Sequence, residues 1–191
     1  MTDKQASKTR EKILDAATRL FLSKPYSKVS IDDIASLSGY SKGAVFHYFK
    51  SKIDIARAVL SLLIERLVAI PLRQIIQSNM TFKEKIFKIV DLSLGFSLGH
   101  DFKSLLFLGE LYYELKTRNQ ERFIKKTYRV LLNTMYSFLK ENNIKNPAVK
   151  TIIFMSILDG LSIEYMLYPE LFKKKDFVSK LKEEIYNFLK G

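Results

Sequence analysis

The stretch 40-YSKGAVFHYFKSK-52 carries residue types suited to contacting nucleic acid. Its lysines can neutralise phosphates, and its hydroxyl and imidazole groups can form hydrogen bonds. Gly43 lies where a helix is expected to begin, although glycine costs a helix roughly 1 kcal/mol relative to alanine. Close approach of the backbone to a phosphate or a base would explain this glycine. Packing of Gly43 against a neighbouring helix is the alternative explanation.

The same stretch holds one of the two histidines of the chain, His47 and His100. The residues three positions before them are Ala44 and Ser97, so the Glu-x-x-His motif of di-iron helical bundles is missing. A Ser-His-Asp arrangement would need one of these two histidines, and His100-Asp101 is read more simply as a loop with a capping aspartate. The sequence has no cysteine and no glycine-rich phosphate loop. We therefore expect no enzyme, no cofactor and no metal site.

The residues before and within 40–52 predict short helices that would position this stretch. Residues 9–24 form an amphipathic pattern that ends at Pro25, with apolar residues on one helical face. Ser30 is a suitable N-cap for a second helix, and Gly39 suits the left-handed residue that ends it. Ser41 can then cap a third helix. Two short helices joined by a tight glycine turn indicate a helix-turn-helix.

The third helix is predicted to have two different faces. Val45, Phe46 and Phe49 are expected to pack on the first two helices. The opposite face is small at its start and then polar and aromatic, as a helix entering the major groove requires. Its residues are Ser41, Ala44, His47 and Tyr48, with Lys42 and Gly43 at the N-terminal tip.

Residues 9–60 resemble the DNA-binding domain of the TetR/AcrR family of transcriptional regulators. The resemblance rests on residues that match the family pattern in order and spacing: Ile13, Ala16-Ala17, Leu20-Phe21, Ser30, Ile34-Ala35, Gly39, Ser41, Gly43, Phe46, Tyr48-Phe49 and Lys52. Two positions depart from the pattern. Phe46 stands where the family usually has a tyrosine with a phosphate-contacting hydroxyl, and Ile53 replaces the usual glutamate.

The resemblance implies a role for each DNA-facing position. Residues at the start of the third helix would meet the DNA backbone and base edges: Tyr40, Ser41, Lys42 and Gly43. Ala44, His47 and Tyr48 would face the groove. Ser30 and Lys52 would hold phosphates from the flanking helix ends.

The remaining residues predict an all-α chain of about nine helices. A fourth helix is expected from Ile55 to Ile70, with Pro71 bending or ending it. Further helices are predicted near 82–98, 102–117, 119–142, 148–168 and 174–190. The helix near 148–168 is apolar on more than one side, so both sides should be buried. The resemblance implies a DNA-binding domain at 1–52, an effector-binding and dimerisation domain at 53–191, and a homodimer formed by the last two helices.

Large apolar residues are frequent in the middle of the chain, and most should be core. The resemblance implies an effector pocket among the central helices, and such pockets are mostly apolar. Its predicted lining is Phe96, Phe107, Tyr112, Tyr128, Leu131 and Met135. The effector would be hydrophobic, either a fatty acyl compound such as an acyl-coenzyme A or a drug-like aromatic compound.

Composition fits this interpretation. The formal net charge of +12 suits nucleic acid, an anionic membrane surface or an acidic ligand, and the resemblance implies double-stranded DNA. No apolar run is long enough to span a membrane, and the N-terminus lacks a signal peptide's apolar core, so we expect a cytoplasmic protein without membrane contact. The resemblance thus implies a ligand-responsive repressor. The alternative is a helical interaction protein that keeps the fold without reading DNA.

Overall fold

A computed structural model describes the backbone of residues 3–99 and 101–191, and the side chains of residues 5–95 and 106–191. Within these ranges the regular structure is helical and contains no strand. The predicted all-α class is confirmed. No helix in the described ranges combines the length and apolarity that crossing a membrane would require.

The first four helices follow the sequence pattern closely. They are α1 (Asp3–Ser23), α2 (Ile31–Ser38), α3 (Lys42–Tyr48) and α4 (Lys52–Ile64), with a short 3₁₀ turn at Tyr26–Lys28. Helix α1 begins six residues before the predicted start at Thr9. Its apolar face is buried, and Ile13 and Ala17 are completely inaccessible to solvent.

The turn between α2 and α3 is built from local signals. Ser30 and Asp33 form a capping box at the start of α2: the Ser30 Oγ accepts from the Asp33 N–H, and the Asp33 carboxylate accepts from the Ser30 N–H. Gly39 ends α2 with a left-handed backbone at φ +75°. Ser41 caps α3 by accepting from the Ala44 N–H at 3.1 Å. These contacts fix the two helices of the predicted helix-turn-helix.

Replacement of Gly39 by alanine should destabilise the protein by about 1–2 kcal/mol, because an L-residue is strained in the left-handed region. No atom lies within 4 Å of a Cβ built at this position, so the cost is one of backbone conformation alone. Urea unfolding followed by circular dichroism would measure the change. Gly39→Asn is the matched control, because asparagine tolerates this conformation and should recover part of the loss. Equal stability of Gly39→Ala and wild type would contradict the prediction.

The later helices are α5 (Ile70–Gln77), α6 (Phe82–Gly99), α7 (Asp101–Thr117), α8 (Arg122–Glu141), α9 (Pro147–Leu167), α10 (Pro169–Phe172) and α11 (Phe177–Lys190). Five of them match the predicted ranges to within a few residues. The short helix α10 is additional, as is the division of the predicted fourth helix into α4 and α5.

The helical path continues through Pro71. A π-helical turn at Glu65–Ala69 joins α4 to α5, and Pro71 lies in the first turn of α5. Proline has no N–H to donate to the carbonyl four residues earlier, and its ring crowds that carbonyl. The wider π turn is a common way to interrupt the hydrogen-bond ladder at such a point.

The helices pack as two units, Met1–Ile64 with Phe102–Ile124, and Glu65–Asp101 with Lys125–Gly191. In the first unit, Phe107, Leu111 and Leu115 of α7 are buried in the core that α1–α4 form. Phe107 stacks on Phe21 with ring centroids 5.1 Å apart. Packing groups α4 and α7 with the N-terminal helices. The domain boundary expected after residue 52 concerns function rather than packing, and it stays a prediction.

The second unit is centred on α6, α9 and α11. Ile86, Phe154 and Leu189 are fully buried. The Ser93 Oγ donates to the Leu158 carbonyl at 2.8 Å. The Lys150 ammonium donates to the Leu189 carbonyl at 2.7 Å, so the start of α9 holds the end of α11.

Candidate nucleic-acid interface

Helix α3 is anchored to the first unit by Val45 and Phe49. Val45 is fully buried and Phe49 is 5% exposed. The Arg10 guanidinium lies 5.2 Å from the Phe49 ring centroid and covers it from α1. One side of α3 is therefore fixed, and the opposite side is free to meet a partner.

The outer face of α3 consists of Lys42, Gly43, Phe46 and His47, all of which are exposed. Their spacing of i, i+1, i+4 and i+5 places them on one side of the helix. The face therefore presents a cation, a residue without a side chain, an apolar ring and an imidazole.

The predicted division of α3 into faces is wrong for two aromatic residues. Phe46, which was expected to pack inward, is 46% exposed. Tyr48, which was expected to face outward, is half-buried against the core, and its hydroxyl is buried without a hydrogen-bond partner among the described residues. The reason is that Val45, Tyr48 and Phe49 together cover the core, which turns Phe46 towards solvent. A DNA-binding role for Tyr48 stays a prediction.

Gly43 is not required by packing. A Cβ built on this residue would lie 3.9 Å from the Ser41 Oγ, which is an ordinary van der Waals distance. The alternative of a glycine forced by a neighbouring helix therefore lacks support. Its exposed position at the start of α3 is compatible with the predicted close approach of a partner.

Lys42 is held by an ion pair with α2. Its ammonium lies 3.0 Å from the Asp32 carboxylate, and both side chains are mostly exposed. An exposed pair of this kind contributes only about 0.2–1 kcal/mol. A phosphate can therefore displace Asp32 from Lys42 at small cost.

Replacement of Asp32 by asparagine should make DNA binding about two- to fivefold tighter, because Lys42 no longer has a competing carboxylate partner. Fluorescence anisotropy with labelled duplex DNA would measure the change. Asp15→Asn serves as the control, since it removes the same charge from an exposed ion pair on α1. Weaker or equal binding by Asp32→Asn would show that Lys42 does not contact phosphate.

Ser30 is exposed at the start of α2, where helix N–H groups favour an anion. The Asp33 carboxylate beside it accepts from the Ser30 N–H and pairs with the Lys24 ammonium at 3.1 Å. The hydrogen bond from the Ser30 backbone, aided by Lys24, lowers the pKa of Asp33 to about 2. Because Lys24 compensates the carboxylate charge, Ser30 can still donate its hydroxyl to a phosphate.

Lys52 is engaged inside the protein. Its ammonium donates to the Tyr26 and Val29 carbonyls at 3.1 and 3.0 Å and lies 4.2 Å from the Tyr26 ring centroid. Burial lowers the pKa of Lys52, although the nearby Glu114 and Glu110 carboxylates oppose this effect. Lys52 therefore ties α4 to the 3₁₀ turn, and its predicted phosphate contact stays a prediction.

Lys52→Ala should lower the free energy of unfolding by about 1–2 kcal/mol, because two carbonyls lose a charged donor at a half-buried site. Lys50→Ala, a change at an exposed neighbouring lysine, should alter stability by less than about 0.5 kcal/mol. Chemical denaturation of both variants would test this. If both variants unfold like wild type, Lys52 is not a structural residue.

The nine predicted DNA-binding residues thus separate by exposure. Five are exposed: Ser30, Ser41, Lys42, Gly43 and His47. Tyr40, Ala44, Tyr48 and Lys52 are half-buried, and the Tyr40 hydroxyl accepts from Thr9 at 3.4 Å. Phe46 is the exposed residue of α3 that sequence reasoning missed. One sequence signal was available, because Phe46 stands where the family usually has a phosphate-contacting tyrosine, and such a residue must be exposed.

The predicted effector residues are distributed over both units. Phe96 lies outside the described side chains. Phe107 belongs to the first unit, where it lines a small cavity of about 120 Å³ with Phe21 and Leu106. Tyr112 is 41% exposed on α7. Phe107 and Tyr112 therefore belong to a different packing unit from the predicted effector residues of α8.

Three predicted effector residues lie on α8. Leu131 and Met135 are buried, and the Tyr128 hydroxyl donates to the Asp159 carboxylate of α9 at 2.8 Å. Burial and this hydrogen bond raise the pKa of Tyr128. A separate cleft of about 370 Å³ between α5 and α8 is lined by mixed polar and apolar residues, including Arg73, Asn133 and Phe138.

The described side chains contain no group of three or more histidine, aspartate or glutamate residues placed to hold a metal ion. The chemistry of the outer face of α3 is that of a contact surface. A capped turn, a short second helix and an exposed, partly basic third helix define a helix-turn-helix protein.

Comparison with known proteins finds a family match for the N-terminal segment. A model described as "Bacterial regulatory proteins, tetR family" matches residues 13–59. Over these residues the chain is similar to the TetR family of transcriptional regulators.

Individual relatives match over segments of similar length. The HTH-type transcriptional regulator SrpR of Pseudomonas putida is 37% identical over 60 residues, covering 31% of this chain and 28% of SrpR. The HTH-type transcriptional regulator AcrR of Shigella flexneri is 41% identical over 54 residues, or 28% of this chain and 25% of AcrR. The match therefore spans less than a third of each relative. These relatives are regulators and not enzymes, as the sequence predicted for this chain.

The fold extends the similarity beyond this segment. The FadR regulator of Bacillus subtilis, solved in complex with stearoyl-CoA, superposes with a TM-score of 0.67 over 95% of this chain and 97% of its own. Its sequence is 19% identical to this chain. At that identity the likeness shows the fold alone.

Proposed function

We propose that the chain is a ligand-responsive repressor that binds a pseudo-palindromic operator as a homodimer. The observation that carries this proposal is the outer face of α3, where Gly43 serves no packing need and Lys42 can exchange Asp32 for a phosphate. Each subunit would insert α3 into the major groove, with half-sites about 34–36 Å apart.

The dimer would form through α9 and α11. One face of α9 is buried in its own unit, and the opposite face exposes apolar residues at helical spacing: Val149, Ile152, Ile153, Ile163 and Leu167. Phe188 adds an exposed ring on α11. One side of α9 is exposed to solvent in the single chain. The prediction that both sides of α9 are buried therefore requires a second copy of the chain. Several exposed apolar residues on one helix face are typical of an interaction site.

The effector would be hydrophobic and would bind in the second unit. Support comes from the apolar α8 residues Leu131 and Met135, with Tyr128 and Asp159 as an adjacent polar pair. The FadR structure shows that this fold can hold a fatty acyl-coenzyme A. We favour a fatty acyl compound over a drug-like aromatic compound for this reason.

DNA binding would be tested with the purified protein, labelled duplexes from its own upstream region and a pool selected from randomised DNA. We expect saturable binding that survives competitor DNA. With roughly 6–10 phosphate contacts per dimer, the affinity for DNA should fall by a factor of about 10³–10⁵ when the salt concentration is raised from 50 to 200 mM. Weak binding indifferent to sequence would support the interaction protein instead.

The effector would be tested on the same complex. Palmitoyl-coenzyme A should release the DNA, whereas free coenzyme A should not, because release requires preferential binding to the state unable to bind DNA. Release by ethidium but not by palmitoyl-coenzyme A, together with calorimetric binding of ethidium to the protein without DNA, would identify an aromatic effector. Protein–ligand binding would be measured separately by calorimetry, since ethidium also binds DNA.

A further inference from the structure

We propose that Phe46 is a specificity-determining residue that contacts the 5-methyl group of thymine. The proposal rests on the proposed function, because it concerns how α3 reads its operator. Phe46 is 46% exposed, whereas its neighbours Val45 and Phe49 are buried. The fold of the single chain therefore uses those two side chains and leaves the Phe46 ring available.

The position of Phe46 directs it to the same partner as the rest of the outer face. It lies one helical turn after Lys42 and beside His47, on the face whose first turn contains Gly43. Once the Gly43 backbone approaches the DNA and Lys42 meets a phosphate, the Phe46 ring must enter the groove or be desolvated against its wall. An apolar ring is favourable there only if it meets apolar atoms.

The chemistry of the groove then selects the base. A phenyl ring cannot pair with the donors and acceptors that purine and cytosine edges present in the major groove. Thymine offers a methyl group there, and phenylalanine is a suitable contact for it. A tyrosine at this position could hydrogen-bond with a phosphate, but Phe46 has no hydroxyl. Its contribution should therefore be preference for thymine at one position of each half-site.

The test uses the selected operator duplex, prepared either with thymidine or with deoxyuridine, which lacks only the 5-methyl group. Wild type should bind the thymidine duplex about five- to tenfold more tightly, as expected for one buried methyl in each half-site. For Phe46→Ala, the ratio of the affinities for the thymidine and deoxyuridine duplexes should fall to near one. Tyr113→Ala, a change at an exposed aromatic residue of α7, should keep the wild-type ratio. Single deoxyuridine replacements should locate the effect at one symmetry-related pair of positions.

Other results overturn the proposal. A ratio that is the same in wild type and Phe46→Ala shows that Phe46 does not contact the methyl group, even though the protein reads DNA. A wild-type protein that shows no sequence-specific binding to the thymidine duplex overturns the proposed function and this proposal with it. Circular dichroism melting of Phe46→Ala confirms that the variant is folded, and Phe46→Leu, which keeps an apolar contact, should retain part of the preference.

Discussion

Ile152→Glu should turn the protein into a monomer and weaken operator binding by at least about a hundredfold. Ile152 is 56% exposed near the centre of the apolar face of α9, so a glutamate is tolerated in the single chain. In the proposed dimer that face is buried, and an unpaired carboxylate there is costly. A monomer also loses the gain of about 10²–10⁴ that linking two recognition helices provides.

Light scattering would give the mass of the variant, and anisotropy would give its affinity for DNA. Tyr113→Glu is the matched control, because Tyr113 is 70% exposed on α7, outside α9 and α11. The control should remain dimeric and bind DNA like wild type. An Ile152→Glu protein that stays dimeric would place the interface elsewhere.

Gly43→Ala should stabilise the protein and impair its function together. Alanine in place of a helical glycine stabilises by roughly 1 kcal/mol, and the structure has space for the new Cβ. The same methyl group lies on the outer face of α3, where the DNA backbone would approach. We expect operator affinity to fall by at least about tenfold, a loss of 1.4 kcal/mol or more.

Gly95→Ala provides the control for this prediction. Gly95 is an exposed helical glycine of α6 with no atom within 4 Å of an added Cβ. Its replacement should raise stability similarly without changing DNA affinity. Thermal melting and anisotropy on both variants would separate the two effects. Unchanged DNA affinity in Gly43→Ala would mean that α3 does not approach DNA at its first turn.

The α3 variants and Ile152→Glu test different parts of the same proposal. If Gly43→Ala weakens binding and Ile152→Glu remains dimeric, α3 reads DNA in a dimer built on another surface. If Ile152→Glu is monomeric but Gly43→Ala binds normally, the dimer is correct and the docking of α3 is not. Asp32→Asn is expected to raise the affinity for DNA, and a variant that failed to fold could not show such an increase.

The sequence alone determined the elements that depend on neighbours along the chain. Ser30, Gly39 and Ser41 could be assigned their roles because a cap or a left-handed residue satisfies backbone groups a few positions away. The all-α class and most helix ranges followed from apolar periodicity, which is strong in long helices.

Tertiary structure decided what depends on distant neighbours. In the seven residues of α3, aromatic side chains occur on both sides, so periodicity could not determine whether Phe46 or Tyr48 packs inward. The core of α1, α2 and α4 made that choice by accepting Val45, Tyr48 and Phe49. Lys52 likewise looked like a phosphate contact until the fold brought the Tyr26 and Val29 carbonyls within 3.1 Å of its ammonium. A capping contact is local and can be read from sequence, whereas the partner of a side chain across 20 or more residues is set only when the helices pack.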